Sequence, residues 1–320
     1  MKERPIKEFE FIDRLRALCG ETPENLALCD DVACITPVKD HDWVISVDAI
    51  QKGRHFRDGD DPEIVARRLV GSAVSDLVAK GAQPHGCLMA FGRDKSWDDQ
   101  WLNLFAEAFA REINHYNMAL WGGDTVLGHG FAALTVHGLI PSGKIIRRSG
   151  ANIGDDVYVT GTIGDGYLSR IAREEQAIEM VTHSMDAYAC PRPPFAFSHH
   201  LIDIATASID ISDGLAADLD HICRNSSCGI EVFVDQIPLS SSGMAYAKRN
   251  GVEALIIGGD DYQTAFTAAP TNREMLAMAA QSTNTRLTRI GKVCLEGSEC
   301  VFKSSDGSAL HLEARGFEHF

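Results

Sequence analysis

Aspartates recur beside glycines and at the ends of apolar runs along this chain of 320 residues. They are Asp30-Asp31, Asp48, Asp76, Asp124 within Gly122-Gly123-Asp124-Thr125, Asp210 and Asp213 within Asp210-Ile211-Ser212-Asp213-Gly214, and Asp260-Asp261 after Gly258-Gly259. A glycine pair lets backbone approach a ligand closely and offers N–H groups to phosphate oxygens. An aspartate next to it can hold the cation that neutralises the same phosphate. The combination points to a soluble, Mg²⁺-dependent enzyme that uses ATP. Each motif also has a plain structural reading. Asp30-Asp31 could be turn residues, and Asp76 could pair with Arg67 or Arg68. Gly122-Gly123 could form a turn between strands, and Asp213 could cap the helix after it.

Other chemistries fit less well. Gly138 to Lys144 has the glycine and lysine spacing of a P-loop, but Ile145 stands where the metal-binding hydroxyl belongs and continues a strand. Gly161 to Gly166 reads as a tight turn. No Ser/His/Asp or Cys/His constellation offers a covalent nucleophile. The nine cysteines include no C-x-x-C pair, and Cys34, Cys87, Cys190 and Cys294 sit among apolar neighbours, so they read as reduced structural thiols. The net charge of −15 gives no electrostatic reason to bind nucleic acid. It would repel a nucleoside triphosphate unless cations stood between carboxylate and phosphate. No apolar run is long enough to span a bilayer, and Met1 to Pro5 lacks the apolar core of a signal peptide; the expectation is a cytoplasmic protein without membrane partners.

The elements that must position these residues alternate between strand and helix. Trp43, Ile45 and Val47 alternate with Val44, Ser46 and Asp48 as a half-buried strand. Asp61-Pro62 opens a helix carrying Val65, Leu69, Ala73 and Leu77 on one face and stopping at Lys80-Gly81. A second helix starts at Ser96, with Asp99 completing a capping box, and lines up Leu102, Phe105, Phe109 and Ile113. Strands are expected at 131–140, 157–159, 230–234, 254–257 and 263–266, and helices at 196–207, 215–225, 243–249 and 273–281. The fold class is α/β (α+β), with an N-terminal domain over 1–145 and a C-terminal α/β domain over 146–320.

Taken in order, Asp30-Asp31, Ser46-Val47-Asp48, Gly53-Arg54-His55-Phe56, Ser75-Asp76-Leu77, Gly122-Gly123-Asp124-Thr125, Arg148-Ser149-Gly150, Asp210-Ile211-Ser212-Asp213-Gly214, Gly258-Gly259-Asp260-Asp261-Tyr262 and the closing Gly316-Phe317-Glu318-His319-Phe320 resemble the thiamine-monophosphate kinase family. The resemblance runs from about residue 25 to the last residue. It implies the two-domain aminoimidazole ribonucleotide synthetase-like fold, a homodimer formed through the N-terminal sheet, and ATP bridged by several Mg²⁺ ions in a cleft between the domains. It also implies Mg²⁺ ligands at Asp31, Asp48, Asp76, Asp124, Asp210 and Asp213, assisted by Ser46 and the Val47 carbonyl. ATP contacts fall at Tyr116, Gly123, Asp124, Arg148 and Ser212, and thiamine monophosphate contacts at His55, Asp260 and Phe317. Asp124, Arg148 and Asp213 are the candidate catalytic residues. The chain departs from the family pattern at Cys29, where glycine is usual, and at Val47, where threonine is frequent. Asp260 stands where glutamate is common, and Gln263 where another acid often stands. Another ATP-using enzyme of the superfamily with a different acceptor, or a binding protein that has lost catalysis, fits the same residues.

Overall fold

The computed structural model describes residues 6–174, 186–295 and 297–317. The chain forms two compact units, one of Met1–Leu77 with Gln83–Ser142 and the other of Val78–Ala82 with Gly143–Phe320.

In the first unit, helix α1 (Glu8–Cys19) precedes strand β1 (His41–Gln51), helix α2 (Pro62–Ala79), strand β2 (Gln83–Arg93), helix α3 (Asp99–His115) and strands β3 (Ala119–Leu127) and β4 (Phe131–Pro141). The sheet order is β1-β4-β2-β3, with β2 and β3 parallel and the other pairs antiparallel. Asp61 caps α2 by accepting the Glu63 N–H at 2.8 Å, and Val65, Leu69, Ala73 and Leu77 are all fully buried. The cap of α3 differs from the expected one. Asp98 accepts the Trp101 N–H at 2.8 Å, while Ser96 turns back to Asp94. The α3 stripe is buried as its spacing requires, and its aromatic rings continue the core: Phe105 lies 4.9 Å from Phe91 and 5.4 Å from Trp101, centroid to centroid. Helix α1 buries only Phe11 and Leu15, too few apolar positions to mark it in the sequence. It lays both against this core, with Arg14 paired to Glu107 of α3.

Strand β1 is where expected, yet its apolar face points outward: Ile45 and Val47 are 60% and 63% exposed. On that same face Trp43 joins His85, Trp121 and His137 in an edge-to-face cluster. Burial holds the His137 imidazole below its ordinary range.

The second unit continues with β5 (Asp156–Thr160), α4 (Asp165–Glu174), α5 (Phe195–Ser198), β6 (Ala205–Ile211), α6 (Leu215–Ser226), β7 (Gly229–Phe233), α7 (Ser241–Asn250), α8 (Glu253–Ile257), β8 (Gln263–Ala268), α9 (Arg273–Ser282), β9 (Leu287–Cys294) and β10 (Cys300–Lys303). Its six-stranded sheet runs β10-β7-β9-β5-β8-β6. Val157 and Val159 join one core with Ile209, Leu215 and Leu219, whereas Tyr158 and Phe266 join another with Phe197 and Leu276. Both faces of β5 and β8 are therefore covered.

That double burial corrects the helix expected over 196–207. Only the four residues of α5 are α-helical, and Ala205–Ile211 pair with β8, because sheet partners override the helix preference of an alanine-rich segment. Ala254–Ile257, expected as a strand, belongs to the short helix α8; periodicity cannot assign so brief an apolar run. Gly161–Gly166 leads into α4, and Cys34 is exposed rather than packed. Among the described residues no helix is long and apolar enough to cross a membrane.

The stacked row on α3 yields a stability test. Phe105→Ala should lower unfolding free energy by about 3–5 kcal/mol, read from urea denaturation of the whole chain. An unchanged midpoint would mean that the aromatic row does not anchor the first unit.

Candidate active site

In the second unit, β6 ends in Asp210-Ile211 and the chain turns through Ser212-Asp213-Gly214 into α6. Asp213 does not take the capping position that its place before the helix would allow; that position is Gly214. The turn is held from inside the helix. One oxygen of Asp218 accepts the N–H groups of Ser212, Asp213 and Gly214 at 3.0, 3.1 and 3.2 Å. Asp218 is only 2% exposed. Burial pushes its carboxyl well above the usual range, and the charges of Asp210 and Asp213 push the same way.

Two further segments are laced to this turn. The Asp260 N–H donates to the Ser212 carbonyl at 2.9 Å and the Tyr262 N–H to the Ile211 carbonyl at 2.7 Å. The Phe317 N–H donates to the Asp213 carbonyl at 3.0 Å. Asp260 and Tyr262 adopt φ of 71° and 50°, uncommon for residues with a Cβ, and the Tyr262 hydroxyl donates to Asp260 Oδ1 at 3.0 Å. Between them Asp261 is buried, accepting the Gly164 and Gly166 N–H groups at the start of α4, and burial pushes its carboxyl up to about 8. Arg148 sits against the other end of α6, where its carbonyl accepts the Ser226 hydroxyl at 3.4 Å; its charge and that of Asp213 act in opposite directions on His221 between them, whose imidazole burial lowers first of all. The second unit thus gathers Asp210, Ser212, Asp213, Asp260 and Phe317 at one turn, with Arg148 along the same helix.

The remaining candidates lie in the first unit, in two groups. Ser46 Oγ donates to Asp76 Oδ2 at 2.5 Å, so Asp76 is satisfied by the strand rather than by Arg67, which pairs with Glu63 and Glu112. Asp48 lies two residues on, on the same face of β1. His55 accepts the Gln51 N–H at 3.1 Å in the loop after β1. The second group is Asp31 with Gly122, Gly123 and Asp124, which line one open cleft of about 370 Å³ together with Leu28 and Leu88. Strands β1 and β3 are opposite edges of the sheet, three spacings or roughly 14 Å apart. In register, Asp48 aligns through Leu134 and Met89 with Gly123, whereas Asp124 aligns with Ala90 and Ala133. Asp48 and Asp124 therefore occupy opposite edges and opposite faces. Val47 lies exposed on the outward face, and Tyr116 is fully buried at the end of α3, presenting no surface to a nucleotide.

Gly122-Gly123-Asp124-Thr125 is not a turn; all four residues lie inside β3. A Cβ at Gly123 would stand 2.0 Å from the Met89 carbonyl oxygen of β2, whereas one at Gly122 would meet only Leu88 Cδ2 at 3.4 Å. Strand packing alone thus demands the second glycine.

Every candidate cation ligand is a carboxylate, hydroxyl or carbonyl oxygen, the donor type that Mg²⁺ takes. The crowding of Asp210, Asp213 and Asp218 is a charge arrangement that a cation relieves. Among the described residues no three His, Cys, Asp or Glu side chains stand close enough to form a ready cage. Mg²⁺ does not require one, since it keeps several waters and is commonly shared between one or two carboxylates and substrate phosphates. The donor set fits that ion.

The family described as "AIR synthase related protein, N-terminal domain" matches residues 29–140. The thiamine-monophosphate kinase of Salmonella typhimurium is 33% identical over 97% of this chain and 96% of its own length. A crystal structure of the thiamine-monophosphate kinase from Stenotrophomonas maltophilia superposes with a TM-score of 0.84 at 30% identity, covering 96% of this chain and 99% of that one. A structure described as AaThiL complexed with AMPPCP and TMP superposes at 0.75 with 25% identity over the whole of both chains.

The two glycines of β3 should respond differently to the same change. Gly123→Ala should destabilise the chain by about 1–3 kcal/mol through overpacking against β2, and Gly122→Ala should shift the unfolding midpoint far less. Equal midpoints for the two variants would contradict the packing argument.

Proposed function

The chain belongs to the thiamine-monophosphate kinase family, and from that premise we infer which of its residues carry the reaction. The enzyme phosphorylates thiamine monophosphate with ATP, giving thiamine diphosphate and ADP. We propose direct in-line transfer. An oxygen of the acceptor phosphate attacks the γ-phosphorus, the bond to the β,γ-bridging oxygen breaks, and ADP departs with that electron pair. The acceptor oxygen is already ionised, so no general base is needed; the barrier is bringing two anions together. Mg²⁺, when bound, supplies positive charge between them.

In this reading Asp210 and Asp213 hold cations beside the Ser212 turn, and Arg148 stabilises charge on the transferring phosphoryl group. Asp31, Asp48, Asp76 and Asp124, with Ser46 and the Val47 carbonyl, are the first unit's cation ligands. The Gly123 backbone, Asp124 and Ser212 take the nucleotide. Tyr116, fully buried, presents no surface to a nucleotide and drops out of the scheme. His55, Asp260 and Phe317 read the thiamine phosphate. The observation that carries the scheme is the lacing of the Ser212–Gly214 turn to both Asp260 and Phe317 by backbone hydrogen bonds of 2.9 and 3.0 Å. It ties the residues proposed for the cations to two of those proposed for the acceptor.

We also propose a homodimer formed through the outward face of the first unit's sheet. The exposed Ile45 and Val47 beside the Trp43, His85, Trp121 and His137 cluster support it. Free thiols at Cys29 and Cys34, both exposed, support a reducing, cytoplasmic setting.

Phosphorus NMR of the protein with ATP, Mg²⁺ and thiamine monophosphate should show thiamine diphosphate and ADP growing together. ADP alone would mean another acceptor, and no turnover would mean lapsed catalysis. Asp124→Asn should lower kcat by about 10²–10³-fold with an unchanged circular dichroism spectrum; near-normal ADP formation would remove Asp124 from the scheme. In sedimentation velocity the native chain should run as a dimer and Ile45→Glu as a monomer. A monomeric native protein would overturn the interface.

A further inference from the structure

The second unit contains an ion pair that the reaction scheme does not use. Asp220 is fully buried on α6, two residues beyond the aspartate that holds the Ser212 turn. Arg315 meets it with both arms of its guanidinium: Nε donates to Oδ2 and Nη2 to Oδ1, each at 2.7 Å. Nη2 also donates to the Cys300 carbonyl at 2.9 Å, and the Cys300 N–H donates to Asp220 Oδ1 at 2.7 Å. The pair thus joins three pieces of chain, namely α6, the start of β10 and the C-terminal segment.

The two residues after Arg315 carry the effect of the pair to the Ser212 turn. A Cβ at Gly316 would stand 2.5 Å from the Ala217 Cβ and 2.7 Å from the Asp213 carbonyl oxygen, so the backbone there lies directly against the first turn of α6. The next residue, Phe317, donates its N–H to the Asp213 carbonyl and is 52% exposed. The few anchors upstream, such as the Leu310 N–H on the Phe302 carbonyl at 2.8 Å, lie on the β10 side of the segment. A large, half-exposed aromatic residue is thereby fixed at the edge of a turn built from aspartates, with the Arg315–Asp220 pair two residues upstream.

We propose that Asp220 and Arg315 are positioning residues for the acceptor, acting as a latch that seats the C-terminal segment so that Phe317 faces the thiamine ring. The proposal rests on the thiamine phosphate reading of Phe317. A carboxylate buried this deeply must be paired to stay ionised, and a planar guanidinium matches both of its oxygens as an ammonium cannot. Arginine at this position therefore fixes direction as well as charge. The latch touches no substrate. Its effect passes through the backbone of Gly316 and Phe317.

Arg315→Lys keeps the charge and loses the fork, which makes it the informative change. The KM for thiamine monophosphate should rise about tenfold, as for loss of one well-placed aromatic contact, while the KM for ATP stays within about twofold; the melting temperature should fall because Asp220 is buried, and circular dichroism at the assay temperature should stay native. Phe317→Ala should raise the same KM, and the double variant should be no worse than the poorer single one, because both changes remove one contact. Equal rises in both KM values, or additive effects, would overturn the latch and leave the pair a general brace. Amide hydrogen exchange separates this failure from failure of the functional reading, since it needs no substrate. In Arg315→Lys the Phe317 amide should exchange at least about tenfold faster than in the native chain, while amides of β5 and β8 keep their protection. Unchanged protection at Phe317 overturns the latch even if thiamine monophosphate proves to be the acceptor. Faster exchange without turnover of thiamine monophosphate overturns the acceptor assignment instead.

Discussion

One oxygen of Asp218 accepts three consecutive backbone N–H groups, those of Ser212, Asp213 and Gly214. These donors precede the first turn of α6, where N–H groups would otherwise have no partner. Because the helix satisfies them from its own next turn, the side chains of Ser212 and Asp213 are released from capping. The carbonyls on the outer side of the turn then accept Asp260 and Phe317. Remove the Asp218 carboxylate and the turn has no reason to hold this shape; the two segments laced to it lose their anchor as well. The arrangement places a buried acid next to two others, and its carboxyl is accordingly pushed up. That is a cost accepted for geometry, and it fits a site whose ligands bring positive charge with them.

Charge explains the rest of the chemistry. A chain with net charge −15 that handles two phosphorylated substrates does not attract them by its overall charge, and the proposed cations between carboxylate and phosphate would turn that liability into binding. The same argument explains why no covalent nucleophile is needed. With an ionised phosphate as acceptor, catalysis reduces to bringing anions together and holding them in line. The two first-unit groups, Ser46 with Asp48 and Asp76 and Asp31 with Asp124, sit on opposite edges of one sheet. They are separate clusters rather than one cage, an arrangement open to the proposed Mg²⁺, an ion that completes its coordination with water and phosphate oxygens.

Much of this was legible in the residues. Helices α2, α3 and α6 announce themselves because their apolar positions recur at helical spacing and each buries one face. The aspartates stand out by their place after strands and beside glycines. Where periodicity is absent the reading fails: Ala254–Ile257 is too short to have a period, and Ala205–Ile211 becomes a strand only because β8 lies beside it. The outward face of β1 is invisible for a related reason, since alternation shows two faces but not which is covered. Gly123 looked like a ligand-binding glycine, and its tightest constraint is the Met89 carbonyl of the neighbouring strand. Asp218, Asp220 and Arg315 carried no local signal. An acid within a polar stretch of helix reads as a solvated residue until the turn or arginine it grips is brought to it from elsewhere in the chain.

The central claim is that phosphate passes directly from nucleotide to acceptor, with carboxylates, cations and Arg148 supplying position and charge and no residue of the protein bonding to phosphorus. The stereochemical course of transfer from ATP made chiral at the γ-phosphorus with oxygen isotopes tests it most directly. A single in-line displacement predicts inversion at phosphorus in the thiamine diphosphate formed. Retention would require two displacements through a phosphorylated residue and would contradict the account.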